Sequence, residues 1–497
     1  MTQQTLSPAE ALSRMLDSRG VLVAGAGVAG RGVLTMLRHL EAPSIVIADD
    51  NVTESALLTM ETPAHAAETY VAVEQARALL RGESEDSPVP GLVITSPGWR
   101  PDFPLLVEAQ EAGIPVIGDI EAAWLADQTE AFGPSRTWLA ITGTNGKTTT
   151  TAMLTAMLVA DGQAAVAVGN IGTPPGIALT ADLRGEPRAN VLVAEVSSFQ
   201  LHWAPSFHPH VGCVLNLADD HLDWHGSYAG YADAKARVFR ADTAVIPSAE
   251  AEVLETIERL WPTEAERPWD TARLFSAGET QDVLKAEHNV GIRDGKVVEL
   301  DEEIVLASAE GISPPGPAGL ADAAAAAAMA RSVGVHPSSI AEALSSFRVQ
   351  AHRGQVVATT AGAQWIDNSK ATNPHAAAAA LKGQSNVVWI AGGQLKGAAI
   401  EPLIRDVAST LKAAVVLGTD RQRIADALAE LAPEVPVSLV DETDPEEAMR
   451  SVVSHALSFA AEGDNVILAP AAASLDMYTG MSQRGDLFAQ FAMEGGQ

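Results

Sequence analysis

The chain has very little cysteine and few basic residues. It contains 497 residues with one Cys, 32 Lys and Arg against 63 Asp and Glu, and a formal net charge of −31. A single thiol excludes disulfides within the chain, and we expect Cys213, inside the apolar run 211–217, to be a small buried side chain. The deficit of Lys and Arg argues against binding to nucleic acid or to an anionic membrane, because phosphate contacts need clustered cations. Any phosphate group must therefore be bound at a local site.

Long apolar runs are also missing. No stretch approaches the roughly 18 uninterrupted apolar residues of a membrane-spanning helix. The first residues, MTQQTLSPAE, lack the basic start and apolar core of a secretion signal, so we expect a cytoplasmic protein. The apolar fraction of 47%, with 40 Gly and 28 Pro, is typical of packed α/β domains, and the length implies several of them.

Three segments each begin with an apolar strand-like run, followed by a Gly- or Ser-rich turn and a helical pattern. This alternation predicts an α/β protein with parallel sheets built from βαβ units. We predict a Rossmann-like domain over residues 1–133, a central P-loop ATPase-like domain over 134–347 and a Rossmann-like C-terminal domain over 348–497. The polar stretch 127–136 is expected to be a linker. In the middle domain we predict strands at 137–142, 191–196 and 211–217, and helices at 320–333 and 338–347.

The strongest local signal is residues 138–150, WLAITGTNGKTTT, a strand pattern that enters a Gly-rich turn before a helix. Gly residues let backbone N–H groups face phosphate oxygens, the helix start adds positive potential, and Lys147 adds a charge. Ile141 occupies the first Gly position of the usual spacing, so the loop is a variant. The predicted ATP-binding residues here are Gly143, Thr144, Asn145, Gly146, Lys147, Thr148 and Thr149.

Acidic and imidazole groups follow the next strands. Glu195 lies near the end of an apolar strand pattern, where an unpaired carboxylate is costly. A divalent cation shared with Thr148 would compensate that cost, and a purely structural acid is the alternative. His221 follows another strand, at the sheet edge where ligands usually bind.

The first segment contains VLVAGAGVAG at residues 21–30, which fits G-x-G-x-x-G after a strand, with Asp49 after a second strand. This pattern predicts a dinucleotide site, although the same turn accommodates any pyrophosphate. A nicotinamide cofactor and a different nucleotide therefore both remain open at this point.

Four motifs in order, TGTNGKT at 142–148, EVSSFQ at 195–200, NLADDHLD at 216–223 and YADAK at 231–235, resemble the central domain of the Mur ligase family. This family builds the stem peptide of bacterial cell-wall precursors, and the resemblance spans nearly the whole chain. It implies catalytic roles for Lys147, His221 and Lys235. It also implies two Mg²⁺ ions, with Thr148 and Glu195 as ligands and with His221 and a carbamylated Lys235 at the second ion.

Two motifs of the third segment, DNSKATNPH at 367–375 and PAAASLDM at 470–477, are similar to the D-glutamate-adding branch of the family. Met481 stands where that branch usually has Phe, and GPAGLAD at 316–322 replaces an Asn-rich adenine-contacting motif. The resemblance implies that the third domain adds His352, Arg353, Asp367 and Lys370 to the ATP pocket. The implied D-glutamate-binding residues are Thr372, Lys396, Ser474, Leu475 and Met481.

The resemblance also assigns the first domain to UDP-N-acetylmuramoyl-L-alanine. The implied contacts are Gly27, Val28, Asp49, Ser96, Pro97 and Gly98, with Asn170, Ser197 and Gln200 from the central domain. The expected function is ATP-dependent addition of D-glutamate through an acyl phosphate, by a monomer, in peptidoglycan precursor synthesis. A nicotinamide-dependent oxidoreductase and a nucleotide-gated binding protein without ligase chemistry are the competing hypotheses.

Overall fold

The computed structural model describes residues 4–50, 68–83, 88–278, 284–349, 351–382 and 384–495. It contains three mostly parallel sheets with helices between their strands, which confirms the predicted α/β class. The chain forms two compact units: Met1–Ala307 with Ala324–Ala343, and Ser308–Ala323 with Leu344–Gln497. The first unit contains two of the sheets, and the division into three domains stays a prediction.

The first sheet has five parallel strands in the order β3-β2-β1-β4-β5. Four of them are entirely buried because helices cover both faces, and this explains their unbroken apolar sequences. The strand order reverses beside β1, the position where such sheets bind ligands. The strands are β1 Val21–Ala24, β2 Ile45–Ala48, β3 Glu68–Val71, β4 Leu92–Thr95 and β5 Val116–Gly118; the helices are Pro8–Met15, Val28–His39, Val73–Leu80, Pro104–Glu111 and Asp119–Gln128.

The second sheet has nine strands in the order β14-β13-β12-β11-β10-β9-β6-β8-β7; it is parallel from β7 to β12, and β12 and β13 form an antiparallel hairpin. Its strands are β6 Thr137–Thr142, β7 Ala165–Gly169, β8 Val191–Glu195, β9 Val211–Val214, β10 Thr243–Pro247, β11 Thr271–Phe275, β12 Val290–Arg293, β13 Lys296–Glu299 and β14 Ile304–Ser308. The helices of this part of the chain are Lys147–Ala160, Pro175–Leu179, Ser198–His202, Leu222–His225, Tyr228–Ala236, Ala251–Leu260, Pro317–Ser332 and Pro337–Ser346.

One predicted strand is too long. We expected a strand over 211–217, but β9 ends at Val214. Beyond it, the backbone N–H of Leu215 donates to the Thr142 carbonyl at 2.9 Å, and the N–H of Thr144 donates to the Asn216 carbonyl at 3.0 Å. The chain therefore leaves the ladder with β10 and packs against the turn that follows β6.

The stretch 127–136, predicted to be a linker, is held in place at both ends. The side chains of Asp127 and Arg136 are fully buried and form an ion pair of 2.6 Å. The same carboxylate accepts hydrogen bonds from the Arg136 backbone N–H at 2.8 Å and the Trp138 indole at 2.9 Å. Because three N–H groups satisfy this buried carboxylate, removing one charged partner should cost about 3–5 kcal/mol. The two ends of the stretch are therefore anchored, and its role as a linker between domains stays a prediction.

The third sheet lies in the second unit, with six strands in the order β15-β16-β20-β17-β18-β19, parallel except for the β15–β16 pair. Within the described ranges, no helix has the length and apolar character needed to cross a membrane. The strands are β15 Gln355–Thr360, β16 Ala363–Asp367, β17 Val387–Gly392, β18 Leu411–Leu417, β19 Val437–Leu439 and β20 Asn465–Leu468; the helices are Pro374–Leu381, Glu401–Val407, Arg421–Leu431, Pro445–Phe459 and Met481–Glu494.

Candidate functional site

The predicted phosphate loop follows β6 and enters helix Lys147–Ala160. Gly143 and Gly146 have φ values of 154° and 82°, a region that favours glycine. A Cβ atom at Gly143 would lie 3.0 Å from Cβ of Leu215, so the turn also needs the small residue for space. No side chain caps the helix at Gly146. Its first N–H groups are therefore suited to bind phosphate oxygens.

Side chains from two other motifs hold this loop in shape. Asn216 Oδ1 accepts the N–H of Asn145 at 2.9 Å, and Asn216 Nδ2 donates to the Asn145 carbonyl at 3.3 Å. The Thr144 hydroxyl bonds the Tyr231 hydroxyl at 2.8 Å and accepts the N–H of Ala218 at 3.0 Å. The supporting roles of Asn216 and Tyr231 were not predicted, although both residues lie in the quoted motifs.

Two lysines meet at the start of the loop. Lys147 Nζ donates to the carbonyls of Gly143 and Thr144, each at 2.8 Å. Lys235 is 2% exposed, and its Nζ donates to the same Gly143 carbonyl at 2.7 Å and to Thr142 Oγ1 at 3.2 Å. Burial, reinforced by the charge of Lys147, holds the pKa of Lys235 well below its usual value. The neutral amine of Lys235 is thus favoured more than in an exposed lysine.

Glu195 lies next to the loop, as predicted. Its side chain is 1% exposed; Thr148 Oγ1 donates to Oε2 at 2.9 Å, and Asn170 Nδ2 donates to Oε1 at 2.8 Å. A hydroxyl and a carboxylate in contact form an oxygen donor set of the kind that Mg²⁺ prefers. The structure therefore brings Thr148, Asn170 and Glu195 together at the end of β8.

His221 occupies a more open position. It precedes helix Leu222–His225 with φ of 51°, its side chain is 48% exposed, and its ring lies 4.7 Å from the Phe199 ring between centroids. Its Nε2 atom is 3.6 Å from a carboxylate oxygen of Asp220. Among the described residues there is no group of three His, Cys, Asp or Glu side chains arranged to hold a metal ion. Shared metal ligation by His221 and Lys235 stays a prediction.

The Gly-rich turn that follows β1 is held by side chains that follow β2 and β4, and its predicted pyrophosphate ligand stays a prediction. Gly25 has φ of 90°, and the N–H of Ala26 donates to Asp49 Oδ2 at 2.8 Å. Ser96 Oγ donates to the Gly25 carbonyl at 3.0 Å. A Cβ at Gly30 would lie 2.0 Å from the Gly25 carbonyl oxygen, so the helix can approach the turn only with glycine here.

Helix Val28–His39 starts beside this turn with an open end. No side chain caps it at Gly27, and Val28 is 76% exposed. Cβ atoms built at Gly27 and Gly98 would meet nothing within 4 Å. The predicted contacts Gly27, Val28, Asp49, Ser96, Pro97 and Gly98 thus come from β1, β2 and β4 at one edge of the sheet.

Ser197 and Gln200 have structural partners of their own. The Ser197 hydroxyl accepts the Gln200 N–H at 3.2 Å, and Gln200 Oε1 accepts the Ser197 N–H at 3.1 Å. Gln200 is 2% exposed and donates from Nε2 to Asp119 Oδ2 at 3.0 Å, which joins the helices Ser198–His202 and Asp119–Gln128. Contacts of Ser197 and Gln200 with a substrate stay predictions.

In the second unit, His352 and Asp367 form a buried pair. His352 Nδ1 lies 2.6 Å from Asp367 Oδ2, and the Ser369 N–H donates to Oδ1 at 2.9 Å. Burial raises the pKa of Asp367, opposed by its hydrogen bond to His352. A Cβ at Gly485 would lie 2.1 Å from His352 Nδ1, so only glycine leaves room for the pair. This need for Gly485 was not predicted.

Two cations close to this pair, Arg353 and Lys370, repel one another electrostatically. Burial and the neighbouring charge of Arg353 lower the pKa of Lys370, against an opposing effect of Asp367. The backbone N–H of Lys370 donates to the His352 carbonyl at 3.1 Å. The four residues expected in the ATP pocket therefore lie in one neighbourhood of the second unit.

The residues predicted for amino-acid binding lie on loops after β16, β17 and β20 and at the start of the last helix. Lys396 is exposed with φ of 53°, and Ser474 is 4% exposed. Leu475 and Met481 are 66% and 41% exposed. The predicted set therefore combines one cation, Lys396, with the buried Ser474 hydroxyl and two exposed apolar side chains, Leu475 and Met481.

A variant phosphate loop at the end of a parallel-sheet strand, with a buried lysine and carboxylate beside it, defines a nucleotide-binding α/β protein of the P-loop type. The family model of the Mur ligase middle domain matches residues 141–289, and that of the Mur ligase, glutamate ligase domain matches residues 352–472. The chain belongs to the Mur ligase family.

Several curated relatives share one name, UDP-N-acetylmuramoylalanine–D-glutamate ligase. The Corynebacterium jeikeium protein is 57% identical over 98% of this chain and 96% of its own length. The Corynebacterium efficiens protein is 51% identical over 96% of both chains. The Mycolicibacterium smegmatis protein is 44% identical over 96% of this chain and 97% of its own length.

Solved structures of lower identity share the fold. The UDP-N-acetylmuramate–alanine ligase of Thermotoga maritima has a TM-score of 0.51 at 18% identity, with 95% of this chain and 98% of that chain covered. The MurF ligase of the same organism, solved with ADP, also has a TM-score of 0.51, at 17% identity and 98% coverage of both chains. These likenesses concern the fold alone.

Proposed function

We propose that this chain is an ATP-dependent ligase that joins D-glutamate to UDP-N-acetylmuramoyl-L-alanine in peptidoglycan precursor synthesis. The observation that carries the proposal is the phosphate loop, where Lys147 and the open helix start lie beside Thr148 and Glu195. Relatives of this name that match over nearly the full length support the choice of substrates. The enzyme is proposed to act as a cytoplasmic monomer.

The reaction requires activation of a carboxylate, because a carboxylate is too poor an electrophile for an amine. The L-alanine carboxylate attacks the γ-phosphate of ATP and forms an acyl phosphate, while ADP leaves. The amine of D-glutamate then attacks the acyl carbon and expels phosphate. Lys147 and the backbone N–H groups of the loop neutralise the charge that spreads over the transferred phosphoryl group.

The side chains at this loop fit Mg²⁺ in one place. Thr148 Oγ1 and the Glu195 carboxylate offer oxygen donors beside the phosphate loop, and Asn170 orients the carboxylate. The bound ion would supply charge neutralisation at the phosphate oxygens. For a second ion we propose His221 with carbamylated Lys235. Carbamylation needs a neutral amine, which the burial of Lys235 and its lowered pKa favour.

The remaining residues are assigned by substrate. The open helix start at Gly27 and Val28, with Asp49 and the 96–98 turn, binds the UDP group, and Asn170, Ser197 and Gln200 face the muramoyl-alanine part. Lys396 supplies the cation that the D-glutamate carboxylates require, with hydroxyls from Thr372 and Ser474. Leu475 and Met481 pack against its methylene groups. Arg353 and Asp367 contact ATP.

The test is phosphate release from ATP with UDP-N-acetylmuramoyl-L-alanine and a panel of D- and L-amino acids. We expect release that depends on D-glutamate and on the UDP substrate together. Release with a different amino acid would contradict the assigned amino-acid substrate. ATP binding without any amino-acid-dependent release would support a nucleotide-gated binding protein instead. Quenching or enhancement of reduced nicotinamide fluorescence on titration would support an oxidoreductase.

A further inference from the structure

Three loops of the second unit meet beneath the proposed amino-acid site. They are residues 368–372, which end at Thr372; residues 392–396, which end at Lys396; and residues 471–474, which end at Ser474. The second and third are joined by two backbone hydrogen bonds between Gln394 and Ala473, at 2.8 and 2.9 Å. A Cβ at Gly393 would lie 2.1 Å from the Ala473 carbonyl oxygen, so this approach is close.

The guanidinium of Arg484 contacts all three loops. Its Nε donates to Ser369 Oγ at 3.0 Å, and its Nη2 donates to the Ser369 carbonyl at 2.9 Å. Its Nη1 donates to the carbonyls of Gly392 and Ala472, each at 3.2 Å. The Ser369 hydroxyl in turn donates to the Met481 carbonyl at 2.7 Å. Arg484 therefore connects the loops to the first turn of its own helix, Met481–Glu494.

This side chain is 0% exposed, and the groups that accept its hydrogen bonds are carbonyl and hydroxyl oxygens. Burying a cation against uncharged acceptors is costly, so a buried arginine of this kind is expected to serve a specific purpose. Burial lowers the pKa of Arg484 to about 10, which leaves it charged at neutral pH. The guanidinium donates from three separate nitrogens, whereas all three donors of a lysine ammonium lie on one atom and cannot span the same set of acceptors.

We propose that Arg484 is a positioning residue for the amino-acid substrate: it fixes the three loops so that Thr372, Lys396 and Ser474 face one ligand. The inference rests on the proposed function, because the ligand is D-glutamate. Arg484 contacts the loops and does not contact the substrate. Loss of the fork should therefore weaken D-glutamate binding, while the proposed UDP-binding turn of the other unit keeps its geometry.

The experiment compares wild type with R484K, which retains the charge but loses the fork. Because R484K loses hydrogen bonds that a charged group makes to the loops, we expect the KM for D-glutamate to rise at least about tenfold. The KM for the UDP substrate should stay within about twofold of wild type, because its proposed contacts lie in the other unit. The matched control is R450K, because Arg450 is 63% exposed and its guanidinium lies over the Phe491 ring at 4.2 Å, away from the loops. It should leave both KM values unchanged.

A second variant covers the case in which R484K does not fold. S369A removes one acceptor of Arg484 and the link to Met481, and it should raise the KM for D-glutamate several-fold with a normal thermal transition. A parallel rise in the KM values for D-glutamate and for the UDP substrate, or an unchanged D-glutamate KM in either folded variant, would overturn the positioning role. If wild type itself shows no D-glutamate-dependent turnover, the proposed function fails instead, which separates the two claims.

Discussion

At the scale of single residues, two lysines, one buried and one half-buried, donate hydrogen bonds to the same carbonyl. Both Lys147 and Lys235 donate to the Gly143 oxygen, and the charge of Lys147 adds to the effect of burial in lowering the pKa of Lys235. Lys147, on the helix start, is the cation that phosphate should engage. Lys235 is buried, and its lowered pKa favours the neutral amine that the proposed carbamylation requires.

Replacing Lys147 with Ala should lower kcat/KM by at least about 100-fold, because a preorganised charge at the transferred phosphoryl group is lost. The protein should keep a thermal transition near that of wild type. Steady-state phosphate release measures the effect, and K296A, at an exposed position on β13, is the control. Near-normal activity of K147A would contradict the assignment of the loop.

The sequence predicted the residues that form the phosphate loop but not those that support it. Asn216 and Tyr231 contact loop residues 71 and 87 positions away, and Arg484 contacts Ser369 across 115 positions. The spacing of residues within a motif does not show which distant side chain will contact the motif in the folded protein. Gly485 was missed for the same reason, since its need for a small residue arises from the His352 ring.

At the scale of elements, helix Asp119–Gln128 begins with two buried carboxylates. A helix start usually favours a charged carboxylate, but burial outweighs this effect here. It raises the pKa of Asp119 from 3.8 to about 6 and that of Glu121 from 4.5 to about 7. The folded protein therefore binds protons at these positions more tightly than the unfolded chain.

This raised pKa predicts a pH-dependent stability. The favourable contribution of protonated Asp119 is complete below about pH 4 and is lost as the pH rises through about 6. D119N removes the titration, so its stability relative to wild type should increase between pH 4 and pH 8, by up to about 3 kcal/mol. Denaturant unfolding at a series of pH values measures this. The exposed control D270N should follow wild type, and a pH-independent difference for D119N would contradict the account.

A second element-scale prediction concerns a close approach of helices Val28–His39 and Pro175–Leu179. A Cβ at Gly176 would lie 2.2 Å from the Gly32 carbonyl oxygen, although its φ is ordinary. G176A should therefore destabilise the protein by about 1–3 kcal/mol through overpacking. Chemical denaturation tests this against G278A, where a Cβ would meet nothing within 4 Å. Equal stability of the two variants would show that the helices can separate without cost.

The predicted boundaries of strands and helices agree with the observed ones where the apolar periodicity is strong. The strand over 137–142 and the helix over 338–347 agree with β6 and with Pro337–Ser346 to within one residue. The half of the second sheet from β10 to β14 was not predicted. Its outer strands β12 and β13 are four residues each and include Arg293 and Lys296, so their burial comes from tertiary packing and not from a local apolar pattern.

At the scale of the whole molecule, the residues assigned to the proposed substrates belong to two compact units. The first contains the nucleotide loop, the carboxylate Glu195 and the uncapped turn at Gly27; the second contains the three loops joined by Arg484. From the sequence alone, the ligand of the Gly-rich turn after β1 was ambiguous, because the same pattern can bind several pyrophosphate-containing ligands. Family membership, shown by relatives that match along nearly the full chain, resolves the class of reaction that this pattern alone left open.

The central claim is that a carboxylate is activated by phosphorylation before the amide bond forms. The most direct measurement uses UDP-N-acetylmuramoyl-L-alanine with ¹⁸O in the alanine carboxylate, followed by mass analysis of the released phosphate. The acyl-phosphate route predicts one ¹⁸O atom in each phosphate that leaves during D-glutamate addition. Phosphate without ¹⁸O, released together with the amide product, would contradict the account.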